Sequence, residues 1–331
     1  MAIERKRWID LLRGFSMIAI LWFHTEMYYA GTDVTPYACY VGNVLAVFFF
    51  LSGYLFYSER PFSARHKLTS LVQHLVIPYF IFMLLMVVPK SMAHGQLEEL
   101  SSQVIQIFTG EASWFVAALI TSQLLFIPLL LMTKGRSLYL CLCSLFSLLL
   151  AALFGNSLSP YYNIYNYWHV NEALLGVFLM SLGFLYHKHE NALLWLEKPV
   201  FVLLLALSVA ACKAIILTHD VQLVLGPIIV SHFPLFIIDQ LLGIALLTSL
   251  FKHLPSIPFM QWTGSHSLVY YFICGGVPLS IGALLHRVGF TNQDYLHILL
   301  AFILVYFVSS VIVFLVYKYL PFMVGYKRES T

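Results

Sequence analysis

The stretch WIDLLRGFSMIAILWFHTEMYY, Trp8 to Tyr29, decides how the rest of the chain is read. It has the roughly 20 mostly apolar residues a helix needs to cross the hydrocarbon core of a bilayer. Arg5, Lys6 and Arg7 precede it, as cations precede a secretory leader. A leader has a short apolar core and ends at small residues, whereas this run extends past Tyr28, carries Asp10 and Arg13, and has no such cleavage site. The expectation is an uncleaved first membrane helix.

Outward from that helix the composition repeats the message. Hydrophobic residues make up 60% of the chain and charged ones 10%, against about 25% charged in soluble proteins. The strict alternation of a membrane barrel is absent, and helices are the other way to satisfy every backbone group in lipid. The fold class is therefore all-α, polytopic, with about ten spans near 8–29, 37–57, 70–88, 114–133, 137–154, 168–186, 199–217, 229–251, 262–286 and 296–318. Pro36, Pro89, Pro160, Pro199, Pro258 and Pro321 fall near span ends, and Pro78, Pro128 and Pro278 fall inside spans, where they kink helices. The whole chain, 1–331, reads as one transmembrane domain without a separate soluble one; the longest stretches outside the spans are 59–69, 89–113, 155–167 and 187–198. Cys39, Cys141, Cys143, Cys212 and Cys274 lie mostly in apolar segments and are expected as free thiols.

Charge sets the orientation. Segments on the N-terminal side of the membrane carry 14 of the 18 Lys and Arg, and the opposite loops carry 2. The positive-inside rule then puts both termini in the cytoplasm and requires an even number of spans.

Ionisable residues inside spans are costly and mark function by default. The first helix holds Asp10, Arg13, His24 and Glu26. Arg13 and His24 are eleven residues apart; at 100° per residue that is about 20° from three full turns, so they share a face, about 16 Å apart along the axis. Asp10 sits one turn before Arg13 and can pair with it. The alternative is a structural ion pair plus an interfacial histidine. The loop at 155–168 sets Tyr161, Tyr162, Tyr165, Tyr167 and Trp168 among Asn163 and Asn166. It reads either as an aromatic belt or as a mouth where rings stack on sugar faces. Ser52 beside Gly53 reads as a packing residue rather than a nucleophile. His187/His189 and Cys141/Cys143 lack a full ligand set, so no metal is expected.

Trp8-Ile9-Asp10-Leu11-Leu12-Arg13-Gly14 followed by His24 resembles the acyltransferase-3 family, whose first helix carries Arg, ten residues, then His. Phe48-Phe49-Phe50-Leu51-Ser52-Gly53-Tyr54-Leu55, Trp114-Phe115 and Gly264-Ser265-His266-Ser267-Leu268-Val269-Tyr270-Tyr271 are similar to three further family segments, in order. Two positions depart from the pattern. Gln73-His74 stands before Ile77-Pro78-Tyr79 where the family often has arginines, with Arg65 and Lys67 further upstream. Cys274 stands where many members have a histidine, so that group is not an obligatory acid or base.

The resemblance implies a membrane O-acyltransferase of the bacterial inner membrane, with acyl-coenzyme A, most simply acetyl-coenzyme A, as cytoplasmic co-substrate and no permanently bound cofactor. The acceptor it implies is a hydroxyl of a surface glycan or its lipid-linked precursor. Its partners are then acyl-CoA, the glycan and membrane lipids, and no nucleic acid. His24 becomes the general base, since imidazole has an unperturbed pKa near 6.5. Arg13, Arg65, Lys67 and His74 become the binders of the coenzyme A phosphates, and the pantetheine arm bridges the gap from Arg13 to His24. Glu26, Trp114, His169, Asn171, Glu172, His232 and Asp239, at or near outer helix ends, become candidates to hold the acceptor. Four of them also have a plainer reading: a belt tryptophan for Trp114, a polar helix-end pair for His169 and Glu172, and a helix–helix hydrogen bond for Asp239. Some members carry an extra hydrolase-like domain; none is evident in this chain, so its helices are expected to act alone or with a partner. The competing class is a transporter of polysaccharide intermediates that does no chemistry; against it, no inverted repeat and no pair of Gly/Pro-broken helices is evident.

Overall fold

A computed structural model describes residues 6–94, 100–158 and 166–325, with side chains described outside 88–100 and 156–165. Helix α1 spans Arg7–Thr25 and widens into a π-helical turn, Glu26–Ala30. Next come α2 (Tyr37–Phe56), α3 (Ala64–Leu71) and α4 (Ile77–His94), the last two joined by π-helical Val72–Val76. Helices α5 (Leu100–Thr109), α6 (Trp114–Thr133), α7 (Ser137–Leu158), α8 (Val170–Lys188) and α9 (Pro199–Thr218) follow. A small antiparallel hairpin, β1 (Leu223–Val224) and β2 (Ile229–Val230), leads into α10 (Phe233–His253). The remainder is α11 (Pro258–Ser265), α12 (Ser267–Ile273), α13 (Gly276–Arg287) and α14 (Tyr295–Tyr319).

Among the described residues, 8 helical segments are long and apolar enough to cross a membrane, and 9 if the bent pair α12–α13 counts as one. Helix α1 is not one of them, because Asp10, Arg13 and His24 reduce its hydropathy. It sits at the centre instead, touching α2, α10, α11, α12, α13 and α14, so neighbours rather than lipid meet its polar groups. The outer helices show the converse: 72% of the most apolar window of α2 is buried but only 11% of that of α9, so α9 can be almost wholly apolar.

Two crossings hold the centre together. A Cβ on Gly14 would strike the Met260 carbonyl, and one on Gly264 the Asp10 carbonyl, so α1 and α11 meet backbone on backbone. Gly53 and Gly183 do the same for α2 and α8 against Met180 and Phe50. Small residues that admit such approach are the usual glue between membrane helices. Gly53 thus serves packing.

Several boundaries differ from expectation. The stretch 64–69, expected outside the membrane, is helical. Pro78 supplies no N–H to the carbonyl four residues back, and the preceding turn relaxes into the π-helical Val72–Val76. Helix α4 runs through Pro89 to His94. Ile229–Val230, expected in the eighth span, is strand. The stretch expected as the ninth span divides into α11, which starts at Pro258, and the pair α12–α13, which bends by 50° at Cys274–Gly275, where two glycines and Pro278 withhold side-chain packing and one N–H. The amphipathic α5 was not expected. All five cysteines are free.

Candidate active site

Helix directions follow from the element order. Going from the N-terminal face outward run α1, α3–α4 and α11–α13; α2 and α6 run back. Between them lies a cavity of about 370 Å³. Its lining combines the cations Arg13 and Lys67 and the imidazole of His74, the polar Ser52, Gln123 and Ser267, and the rings of Phe48, Phe115 and Tyr271.

Local structure explains the cations. Ser63 caps α3 by accepting from the His66 amide at 3.3 Å, which starts the helix that carries Lys67. The Lys67 ammonium donates to the Leu55 carbonyl at 2.9 Å and lies 4.5 Å from the Phe56 ring centre. It therefore neutralises the C-terminal end of α2, where carbonyls lack helical partners. His74 lies in the π-helical turn, its Nδ1 3.5 Å from the Val324 carbonyl. Arg65, two residues from Lys67 and so on nearly the opposite side of α3, is exposed and does not line the cavity. Asp10 is buried one turn before Arg13.

His24 is half-buried in the last turn of α1. Its ring meets Phe23 edge-on at 5.6 Å and stacks on Tyr28 at 6.0 Å and 13°; no hydrogen bond to it is seen among the described residues. It does not line the cavity. Tyr271, at the cavity's aromatic end, lies within electrostatic reach of Cys274, and Cys274 of Tyr28. The Tyr28 hydroxyl is 3.9 Å from where a Cβ on Gly275 would stand. The break in the ninth span thus sits between the cavity and His24.

The acceptor candidates divide. Trp114, His169 and Glu172 come together: His169 Nδ1 is 3.3 Å from a Glu172 oxygen, and the Trp114 and His169 rings are 6.3 Å apart. Asn166 and the Ile228 amide donate to Glu172 at 2.6 and 3.2 Å, and Trp114 closes over Gly226 of the hairpin. Trp168 and His169 both hold positive φ, 55° and 51°, a costly pair for non-glycine residues that places His169 against this cluster. Asn171 joins through its backbone amide, which donates to the Asn166 side chain at 3.2 Å. Glu26 is elsewhere: fully buried, it accepts from the Thr35 amide and hydroxyl at 3.0 and 2.8 Å. His232 accepts from the Leu235 amide and caps α10. Asp239 faces Lys213 at 2.7 Å, with Asn43 and Gln240 also donating to it. Tyr161, Tyr162, Asn163 and Tyr165 lie outside the described residues. Trp168 donates to the Phe108 carbonyl at 3.0 Å, which ties its loop to α5.

Sequence reasoning missed three features. Gln123 and Ser267 line the cavity; a lone amide within the apolar α6 was the available signal. Lys213 and Asp239 each lie about a turn and a half from the outer ends of consecutive helices, and that equal depth announced their pairing. At the end of the fold where the chain begins, Glu190 accepts from Lys6, Tyr54 and Lys252 at 2.8, 2.8 and 2.7 Å, and Lys252 also reaches Glu197 at 2.6 Å. Burial pushes the Glu190 carboxyl up, but bonds from Lys252, Lys6 and Tyr54 outweigh it and hold the pKa at about 2. Among the described residues no cluster suited to a metal ion is found.

An all-helical membrane fold enclosing a cavity lined by an arginine, a lysine and a histidine defines a class of polytopic membrane proteins with an internal polar site. A family model described as an acyltransferase domain matches residues 6–318, and the chain belongs to that acyltransferase-3 family. It is accordingly a membrane acyltransferase. No curated protein and no solved structure matches the chain.

Proposed function

We propose that the protein transfers an acyl group, in the simplest case acetyl, from cytoplasmic acyl-coenzyme A to a hydroxyl of a surface glycan or lipid-linked sugar in a bacterial inner membrane. The observation that carries this reading is the cavity lined by Arg13, Lys67 and His74 together with the rings of Phe48, Phe115 and Tyr271. Cations suit the coenzyme's phosphates. A volume of about 370 Å³, near the lower limit of ligand sites, suits the pantetheine arm and leaves the nucleotide at the surface, where Arg65 is exposed. His24 takes the acceptor's proton as general base, Arg13 binds the donor, and Asp10 steadies Arg13. Trp114, His169, Asn171 and Glu172 form the acceptor side. In this reading α1 and the broken ninth span both cross the bilayer, making ten spans with cytoplasmic termini.

Turnover of acetyl-coenzyme A by detergent-purified protein, with glycan mass spectrometry of cells with and without it, tests the reaction; no donor consumption and identical glycans refute it. Labelling of single cysteines tests orientation: a probe at Thr291 is expected to react from outside and one at Ser63 not, and the reverse pattern removes the cytoplasmic donor site. Transport without chemistry has one observation in its favour, the 50° break between α12 and α13, since transporters bind at broken helices. It predicts glycan movement without donor consumption.

A further inference from the structure

The cavity's lining residues can be ordered by height, because the direction of each helix is known. Lys67 and Ser70 of α3, Phe56 of α2 and Gln123 of α6 are its members nearest the N-terminal face. Phe48 of α2, Phe115 of α6 and Tyr271 of α12 are its members farthest from that face. Phe48 to Phe56 and Phe115 to Gln123 each cover eight residues, about 12 Å of depth at 1.5 Å per residue. At the far end the rings close on one another: Phe48 meets Phe115 edge-on at 5.8 Å, and Phe115 meets Tyr271 at 5.1 Å. Phe115 is buried and packs on Phe49 as well, at 5.2 Å; Phe48 is only partly buried. Beyond this wall lie Cys274, Tyr28 and His24.

We infer that this aromatic wall measures the acyl chain, and that Phe48 is the residue that limits it to a short group. The inference rests on the acyl-coenzyme A reading above. A donor that enters phosphates-last presents its acyl end to the wall. A short group lets the thioester carbon approach the wall, and with it the side of the site where His24 stands. Each added methylene must either find room among Phe48, Phe115 and Tyr271 or hold the thioester back toward the mouth. Close-packed rings cannot yield that room gradually, because a dense interior loses contacts or gains overlap with every methylene. Phe48 is the adjustable member, since removing its ring enlarges the cavity without emptying the buried packing around Phe115. The structure thereby assigns chain-length selection to one side chain of the second family segment.

The test uses full-length protein in detergent and measures dissociation constants for coenzyme A, acetyl-, butyryl- and hexanoyl-coenzyme A. Wild-type protein is expected to bind the acetyl form and to gain nothing from longer chains. In Phe48→Ala the freed volume admits further methylenes, each tightening binding about fourfold (~0.8 kcal/mol). The hexanoyl-to-acetyl affinity ratio is therefore expected to rise at least about tenfold over wild type. Phe48→Leu, which keeps most of the volume and guards against misfolding of the alanine variant, is expected to show a smaller rise in the same direction. A ratio within about threefold of wild type in both variants, less than one methylene's worth, overturns the inference while leaving the donor reading intact. Wild-type protein that binds hexanoyl-coenzyme A better than acetyl also overturns it. Binding of neither coenzyme A nor any acyl form removes the donor reading and this inference together.

Discussion

His24→Asn separates chemistry from folding because of where the ring sits. It is half-buried, its described contacts are the edge of Phe23 and the face of Tyr28, and no hydrogen bond to it is seen among the described residues. Aromatic contacts of this kind are worth about 0.5–1.5 kcal/mol each. Two of them, partly retained by the smaller amide, put the stability loss at roughly 1–2 kcal/mol. A lost general base costs about 10²- to 10⁴-fold in rate, or about 3–5 kcal/mol of transition-state stabilisation. The two effects therefore differ in size and in readout. Thermal unfolding in detergent reports the first; the initial rate of acetyl-coenzyme A-dependent glycan acylation reports the second. Donor affinity is expected to stay within about threefold of wild type, because His24 does not line the cavity, and one methylene's contact is worth more than that. A rate above about a tenth of wild type, well outside the range for a general base, refutes the assignment and moves the search to His169 and Glu172. A large fall in the unfolding temperature refutes the packing argument instead.

Arg13→Ala is expected to weaken coenzyme A binding by one to two decades, about 1.5–3 kcal/mol for a lost charge-assisted contact; unchanged affinity in a titration leaves Arg13 as a packing residue. Lys213→Met strands the buried Asp239 carboxylate and is expected to cost about 3–5 kcal/mol, whereas Lys213→Met with Asp239→Leu recovers most of it; additive losses in a double-mutant cycle contradict the pairing. For Glu190 the folded carboxyl lies near 2, below its unfolded value of about 4.3. Its contribution, on the order of 2 kcal/mol, is present above pH ~4.3 and lost as pH falls toward about 2. Glu190→Gln is expected to flatten acid unfolding in that window, and an unaltered acid limb counts against the cluster's role.

Hydropathy reports which segments meet lipid or core, so most spans could be read within a few residues, the third and the broken ninth excepted. It carries little about direction around a helix axis, and the site depends on that. Arg13, Lys67 and His74 were each recognisable as candidate phosphate binders; their convergence on one cavity depends on the Gly14–Gly264 and Gly53–Gly183 crossings, which no linear pattern spells out. Arg65 looked equivalent to Lys67 along the chain, but its position on the exposed face of α3 separates them. Asp239 was legible as a buried charge, yet its partner Lys213 sits on another helix, and only equal depth hinted at the pairing. The hairpin at 223–230 was illegible because its apolar residues bury against α2 and α7 rather than in lipid, and the two burials look alike in composition.

The glycine crossings have a mechanical consequence. A joint with no side-chain layer has nothing to compress and nothing to re-seat, so α1–α11 and α2–α8 behave as two stiff frames. A chamber framed by them cannot dilate by sliding either pair. Compliance is left to the slack members of its wall: the over-wide turn at Val72–Val76, which has one residue more per loop than its neighbours, and the unsupported elbow at Cys274–Gly275. Any breathing of the chamber that admits a donor is thereby directed into these two places, one at the mouth and one at the far end.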